Sequence, residues 1–277
     1  KREENTVFVT SDNASEYVIP EKLMREMRSS VIFLGAILAR NKRVVLSTPG
    51  GCDIGLRPID LHLDAMKKLG AVVREEYGNI ECSAPDGLKG ASITLSFPSV
   101  GATENIMVAA STAKGTTTVI NAAREPEISD LADFLNSCGA KISGAGQGTI
   151  VIEGVKRLTG TVHTVLPDRI AASTYMCAAA ATGGRLTVTN LIPKHMESVS
   201  AKLEEMGVEI EELDESIIVR APERLTKSIV KTQPYPGFPT DMQSQMLALA
   251  CVAKGSSVVI ENVFENRFAM VSDLRRM

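Results

Sequence analysis

The sequence predicts an α/β fold assembled from repeated compact units of about 70 residues, and three observations carry that prediction. The first is composition: of 277 residues 44% are apolar and 23% charged, enough for more than one hydrophobic core. With no Trp and 4% aromatics, that core must be built from Val, Ile, Leu, Ala and Met, which suits layered α/β packing. The second is a helix-ending glycine that recurs in phase: Ala65–Ala71, Phe134–Ala140 and Leu203–Val208 each close an amphipathic segment on Gly70, Gly139 or Gly207, 69 and 68 residues apart. The third is a glycine turn feeding a strand, at Lys114-Gly115, Gly183-Gly184 and Lys254-Gly255, whose second glycines stand 69 and 71 residues apart.

Within one period the order reads apolar helix, glycine turn, strand, short loop, second helix, glycine cap, strands, a βαββαβ-like unit. In the middle copy Ile128, Leu131, Leu135 and Cys138 fall on one helical face. The period exceeds the 20–50 residues or so of common solenoids, so compact subdomains fit better. Along the chain, Lys1 to Asn5 is charged and leads into a strand-like run, with neither an apolar signal segment nor an initiator Met. The longest apolar runs, Val31–Ala39 and Met246–Ala253, fall short of the roughly 18 residues a membrane-spanning helix needs, so no membrane partner is expected. At the far end Asp273–Met277 aligns with the residues just before the capping glycine of earlier copies. The expectation is a chain cut from a longer product at both ends.

Thirty basic and 33 acidic residues give a net charge of −3 without a basic stripe, which argues against nucleic acid as a partner. The five cysteines, Cys52, Cys82, Cys138, Cys177 and Cys251, are odd in number, widely spaced and free of any C-x-x-C pair. That pattern argues against disulfides or a metal site and for a reducing, cytoplasmic setting. Four lie in apolar stretches; Cys52 does not.

Cys52 sits where the repeat is broken. From the end of the strand to the capping glycine, Asn121 to Gly139 and Asn190 to Gly207 span 18 and 17 residues, but Ser47 to Gly70 spans 23. The excess falls in Pro49-Gly-Gly-Cys-Asp-Ile-Gly-Leu-Arg-Pro58, and an insertion in a regular unit is where function is commonly added. Its glycines and flanking prolines would let it open and close over a ligand, and Arg57 would favour the thiolate and bind phosphate or carboxylate. Against this stands a plain solvent-exposed loop with an incidental thiol.

Asp241, in Phe-Pro-Thr-Asp before an apolar helix, reads by default as a cap or first-turn acid. Arg124-Glu-Pro-Glu127 and Phe264-Glu-Asn-Arg267 occupy the same loop of different repeats, so they either line a shared cleft or are solvated helix-start acids, the second reading being favoured for Glu127. His62 follows the cysteine loop, while His163 and His195 read as structural or exposed.

The stretch Leu46-Ser-Thr-Pro-Gly-Gly-Cys-Asp-Ile-Gly-Leu-Arg-Pro-Ile-Asp-Leu-His62 resembles the active-site loop of the UDP-N-acetylglucosamine enolpyruvyl transferases. Lys22–Ser30, Ser99–Thr103, Asn121–Glu127, Leu166–Ile170, Pro236–Met242 and Val263–Phe268 agree with it, so the likeness runs the length of the chain. The chain departs at Phe97, where some members carry Lys. The resemblance implies an inside-out α/β barrel fold: two domains of three βαββαβ units, helices inside, with a ligand cleft between. Residues 1–164 would be the later part of the first domain, with the cysteine loop at 49–58, and 165–277 the first part of the second.

The implied reaction moves the enolpyruvyl group of phosphoenolpyruvate to the sugar 3-hydroxyl and releases phosphate, the first committed step of peptidoglycan synthesis, with roles in cell shape and division. It needs a base for the hydroxyl, an acid for the methylene carbon and cations for phosphate and carboxylate, but no metal or other cofactor. By resemblance Cys52 is the general acid and the target of fosfomycin, and Asp241 the base. Arg57, Pro58, Ile59, Asp60 and Leu61 would contact the nucleotide, Arg57 also the phosphate; Arg28, Ser99, Val100 and Val263 would contact the nucleotide sugar, and Arg267 would be a cleft arginine. A Lys-Asn pair of the family would precede Lys1 and a late cleft arginine would follow Met277, so the 277 residues alone are expected to be inactive. Two alternatives stand beside this reading: the sister shikimate-pathway enolpyruvyl transferase, disfavoured by the cysteine loop, and a non-catalytic paralogue that binds a UDP-sugar.

Overall fold

The computed structural model describes residues 1–50, 54 and 58–277. An exposed hairpin, β1 (Arg2–Glu3) with β2 (Thr6–Val7), and a short helix α1 (Glu21–Glu26) come first. Then follow α2 (Phe33–Asn41), β3 (Arg43–Ser47), α3 (Asp60–Lys68), β4 (Val72–Glu76) and β5 (Asn79–Ser83), whose strands form an antiparallel sheet in the order β3-β5-β4. The next unit is β6 (Ser92–Thr94), α4 (Val100–Ala110), β7 (Thr116–Ile120), α5 (Pro126–Ser137), β8 (Lys141–Ser143) and β9 (Thr149–Glu153), in the order β6-β7-β9-β8. The third repeats the pattern with α6 (Arg169–Ala181), β10 (Arg185–Thr189), α7 (Glu197–Glu205), β11 (Glu209–Glu212) and β12 (Ser216–Arg220), in the order β10-β12-β11. Last come β13 (Ile229–Lys231), α8 (Gln243–Val252), β14 (Val258–Ile260) and α9 (Val271–Arg276), with β13 parallel to β14 as β6 is to β7.

The helix, strand, helix, strands order read from the repeat is the one observed, but the label βαββαβ is corrected. One strand, not two, separates the helices of a unit, and the fourth strand pairs in parallel from ahead of the inner helix, giving βαβαββ in the unit from β6 to β9.

The capping glycines explain why the period survives. Gly70, Gly139 and Gly207 have φ of 94°, 97° and 94°, a left-handed conformation only glycine adopts without strain. Each closes its helix in the same way: Gly70, Gly139 and Gly207 donate to the carbonyls of Lys67, Asn136 and Glu204, all at 2.9 Å, and the next residue donates to the carbonyl five back. At the second marker Gly115 and Gly255 have positive φ, but in the middle copy that role falls to Gly183, one residue earlier than the spacing places it.

Alternation along the strands sends one face inward; Ile150 and Ile152 of β9 are fully buried between the outward Thr149 and Glu153. Buried side chains form two cores, one from Met24 to Ile152 and one from Ala172 to Leu249. In the first, α2 and α4 pack so closely that a Cβ on Gly35 would stand 2.4 Å from Asn105 Oδ1. Cys82, Cys138 and Cys177 are buried, and burial pushes the thiols of Cys82 and Cys177 up to about 12; Cys251 is exposed. No described helix is long and apolar enough to cross a membrane.

Candidate functional site

Cys52 and Arg57, with the middle of the 49–58 loop, lie outside the described residues. One foot of that loop is fixed: Gly50 donates to the Met24 carbonyl at 3.1 Å, and a Cβ on Gly50 would stand 2.9 Å from the Arg25 carbonyl oxygen, so only glycine fits. Arg28, just past α1, donates from Nη1 to the Pro49 carbonyl at 3.4 Å.

The other foot runs into α3. Exposed Pro58, buried Ile59 and exposed Asp60 open the helix, with the Asp60 carboxylate at its positive end and Leu61 half-buried behind. Beside it begins α4, capped by Ser99, whose Oγ accepts from Ala102 N at 3.3 Å, with Val100 as first residue. Behind these helix starts a buried amide network, not apparent from the sequence, ties the middle of α4 to α2 and to the first turn of α3. Asn105 of α4 accepts from Gly35 N at 2.6 Å and donates to the Val31 carbonyl at 2.8 Å, and its Nδ2 stands 2.9 Å from His62 Nδ1. That contact makes His62 the acceptor at Nδ1 and so the neutral Nε2–H tautomer. Burial first, then the nearby Arg28 charge, lowers the His62 pKa to about 4 against the opposing pull of Asp60. Arg28, residues 58–61, Ser99 and Val100 thus converge on one end of the first core.

The second group comes from the later core. Asp241 is a first-turn acid rather than a cap, in the 3-10 turn Thr240–Met242 ahead of α8, and it is paired: Arg267 Nη2 donates to its Oδ1 at 2.7 Å. Arg267 also donates from Nη1 to the Thr240 carbonyl and stacks over Phe264 with Cζ 5.3 Å from the ring centroid. Asp241 is 56% exposed and Arg267 15%, so the carboxylate is open to a ligand while the guanidinium that holds it is not. Val263 stands in the same loop, its amide bonded to Glu261 Oε1 at 2.8 Å.

Among the described residues, contacts also link the part of the chain that forms the first core to the part that forms the second. Asn266 donates its amide to the Ile54 carbonyl at 3.2 Å, so the Arg267 loop touches the cysteine loop at its one described central residue. Glu125 accepts from Tyr235 N at 3.3 Å, and Glu127 pairs with Arg169 at 2.9 Å, Arg169 also lying over the Tyr235 ring. Glu127 does sit in the first turn of α5, as a helix-start acid, but it also ties that helix to α6. Glu104 of α4 faces this junction; burial, then Glu127 and Glu125, raise its carboxyl to about 7. His163 is a structural side chain, bonded to Asp130 at 2.9 Å and edge-on to Phe134, while His195 is half-buried and its pKa lowered by that burial. Two shallow pockets, about 230 and 80 Å³, touch none of these residues. Among the described residues no group of three or more His, Cys, Asp or Glu could hold a metal ion.

The fold is shared with solved structures. The enolpyruvyl transferase NikO from Streptomyces tendae superposes with a TM-score of 0.78 at 24% identity, over 94% of this chain and 62% of that one. An EPSP synthase from Acinetobacter baumannii gives 0.58 at 22% identity, over 83% of this chain and 54% of that one. The architecture is therefore that of the enolpyruvyl transferases. The family model for EPSP synthase (3-phosphoshikimate 1-carboxyvinyltransferase) matches residues 1–277, and the chain belongs to that family. Within it, "UDP-N-acetylglucosamine 1-carboxyvinyltransferase 1" of Symbiobacterium thermophilum is 52% identical over 98% of this chain and 62% of its own length. "UDP-N-acetylglucosamine 1-carboxyvinyltransferase 2" of Caldanaerobacter subterraneus subsp. tengcongensis is 50% identical over 98% and 65%. The chain thus spans less than two thirds of these relatives.

Proposed function

We propose that the protein transfers the enolpyruvyl group of phosphoenolpyruvate to the 3-hydroxyl of UDP-N-acetylglucosamine, releasing phosphate in the first committed step of peptidoglycan synthesis. The observation that carries this is identity of 50% or more, across nearly the whole chain, to relatives whose names state that activity. The sister shikimate-pathway reading gains no such support, since the solved EPSP synthase stands at 22% identity.

The residues take complementary roles in this proposal. Arg267 holds Oδ1 of Asp241 and leaves Oδ2 to take the proton of the sugar hydroxyl as its oxygen bonds to C2 of phosphoenolpyruvate. Cys52 delivers a proton to C3, giving a tetrahedral ketal. Loss of phosphate and of a methyl proton then regenerates the vinyl group on the sugar. Arg57 takes the phosphate, an anion suited to a guanidinium fork. Pro58, Ile59, Asp60, Leu61, Ser99, Val100, Arg28 and Val263 line the nucleotide sugar. Residues 1–164 and 165–277 are proposed as parts of two domains with the substrates between them, working in the cytoplasm without a metal.

The experiment is phosphate release with both substrates, measured on the 277-residue chain and on the same chain extended to the length of its relatives. Turnover in the extended form, absent in Cys52→Ala and Asp241→Asn, supports the proposal; the same turnover with shikimate 3-phosphate replacing the UDP-sugar overturns it. Intact-mass measurement after incubation with fosfomycin checks Cys52 directly: the wild type gains the adduct and Cys52→Ala does not.

A further inference from the structure

Glu261 follows β14 and has no part in the proposed chemistry, yet its carboxylate gathers donors from two threonine hydroxyls and two backbone amides. Oε1 accepts from Thr232 Oγ1 at 2.9 Å, Thr240 Oγ1 at 3.0 Å, Val263 N at 2.8 Å and Phe264 N at 3.1 Å, and Thr240 Oγ1 lies 3.0 Å from Oε2 as well. The Thr232 hydroxyl, fully buried at the end of β13, in turn accepts from Asn262 N at 2.9 Å. One charged group therefore bonds three separate pieces of chain: the end of β13, the 3-10 turn that carries Asp241, and the loop that carries Val263 and Arg267.

Those last two pieces are the ones that must keep register for the Asp241–Arg267 pair to exist. Thr240 is the residue before Asp241, and Arg267 bonds both Thr240 O and Asp241 Oδ1. Hydrogen bonds to an ionised acceptor are stronger than neutral ones and fix direction as well as distance. The same loop meets Ile54 through Asn266. We propose that Glu261 is the positioning residue of the site: its carboxylate sets the separation between the Asp241 turn and the Arg267 loop, and through Asn266 the docking of that loop on the cysteine segment. The proposal rests on Asp241 and Arg267 being the acid-base and cleft residues.

Two arms separate the anchor from that reading. The first needs no turnover. In Glu261→Ala, amide hydrogen exchange at Met242, Val263 and Phe264 is expected to speed by about tenfold or more, while amides of β9 and α4 keep their wild-type rates. In Glu261→Gln the amide oxygen still accepts from the two backbone N–H groups and its NH₂ donates to Thr240 Oγ1, so exchange returns to within about threefold of wild type. Unchanged exchange in Glu261→Ala, or an equal rise over the whole chain, overturns the proposal. The second arm reads phosphate release in the extended protein. Glu261→Ala is expected to lower kcat on the order of 10- to 100-fold with KM for the UDP-sugar changed less than about threefold, and Glu261→Gln to restore kcat, since misplacement of a reacting group by about 1 Å can cost 10²-fold. Wild-type kcat in Glu261→Ala, or a loss that Gln does not rescue, also overturns it. Should the wild type release no phosphate, the enolpyruvyl reading fails and the exchange arm still decides the anchor.

Discussion

His62 and Glu104 stand on neighbouring inner elements and bear opposite pH signatures, so each masks the other in the intact chain. The neutral imidazole of His62 has its pKa lowered from 6.5 to about 4, chiefly by burial. The unfolded chain therefore binds a proton there that the folded chain does not between those values, and the stability His62 contributes is complete above pH 6.5 and lost as pH falls toward 4. At about 1.4 kcal/mol per unit of pKa, the loss totals roughly 3 kcal/mol. Glu104 runs the other way. Its carboxyl is raised from 4.5 to about 7 by burial and by Glu127 and Glu125, so the folded state holds the proton longer, and stability falls as pH rises from 4.5 through 7. Because the side chain is partly open, solvent screening trims that effect to about 2 kcal/mol. Glu104→Gln removes the ionisable carboxyl and with it this loss of stability at high pH. Relative to wild type it should be more stable by about 2 kcal/mol at pH 7.5, with little difference at pH 4.5, and its own profile should fall by about 2 to 3 kcal/mol from pH 6.5 to 4.5 as His62 is unmasked. His62→Gln should show the reverse slope. With no Trp in the chain, the assay is urea unfolding followed by far-UV circular dichroism at four pH values. A stability difference between Glu104→Gln and wild type that stays constant across pH 4.5–7.5 would rule out a raised Glu104 pKa in the folded chain.

Three further outcomes follow from the packing. Gly35→Ala forces a methyl to within 2.5 Å of Asn105 backbone and side-chain oxygens and should cost about 2 kcal/mol or more in urea unfolding. A double-mutant cycle of Glu127→Gln and Arg169→Ala should give a coupling of about 1 kcal/mol, since the guanidinium is nearly buried but the carboxylate is 40% exposed. Under native conditions iodoacetamide should label Cys251 and spare Cys82 and Cys177, whose thiols burial pushes up to about 12; peptide mapping reads the pattern, and labelling of the buried pair at the rate of Cys251 would contradict it.

The repeat was legible in the sequence because backbone geometry demands it: a left-handed cap at Gly70, Gly139 and Gly207 admits little but glycine, so the period is written in residue identity. For the candidate site, the residues' own chemistry read Asp241 as a first-turn acid and left Arg267 between cleft and solvated loop; only the family resemblance paired them in one site, and the structure shows them 2.7 Å apart. What joins them was not legible. Glu261 shows in the sequence only as an acid after a strand, and its partners Thr232 and Thr240 lie 29 and 21 residues away. Asn105 is one polar letter in an apolar helix, and its meaning comes from Gly35 and His62, 70 and 43 residues away. Glu127 reads as a helix-start acid from its neighbours, while its pairing with Arg169 spans 42 residues. Long-range polar pairs have no period and no spacing rule, so folding alone reveals them.

The central claim is that this site moves an enolpyruvyl group onto a UDP-sugar with Cys52 and Asp241 as proton donor and acceptor. Mass spectrometry of the products, with phosphate measured in the same reaction of the extended protein, tests it most directly. The expected products are carboxyvinyl UDP-N-acetylglucosamine and phosphate in equal amounts, both absent in Cys52→Ala and Asp241→Asn. Phosphate released without a modified sugar, or modified sugar formed at the wild-type rate by either variant, would contradict it.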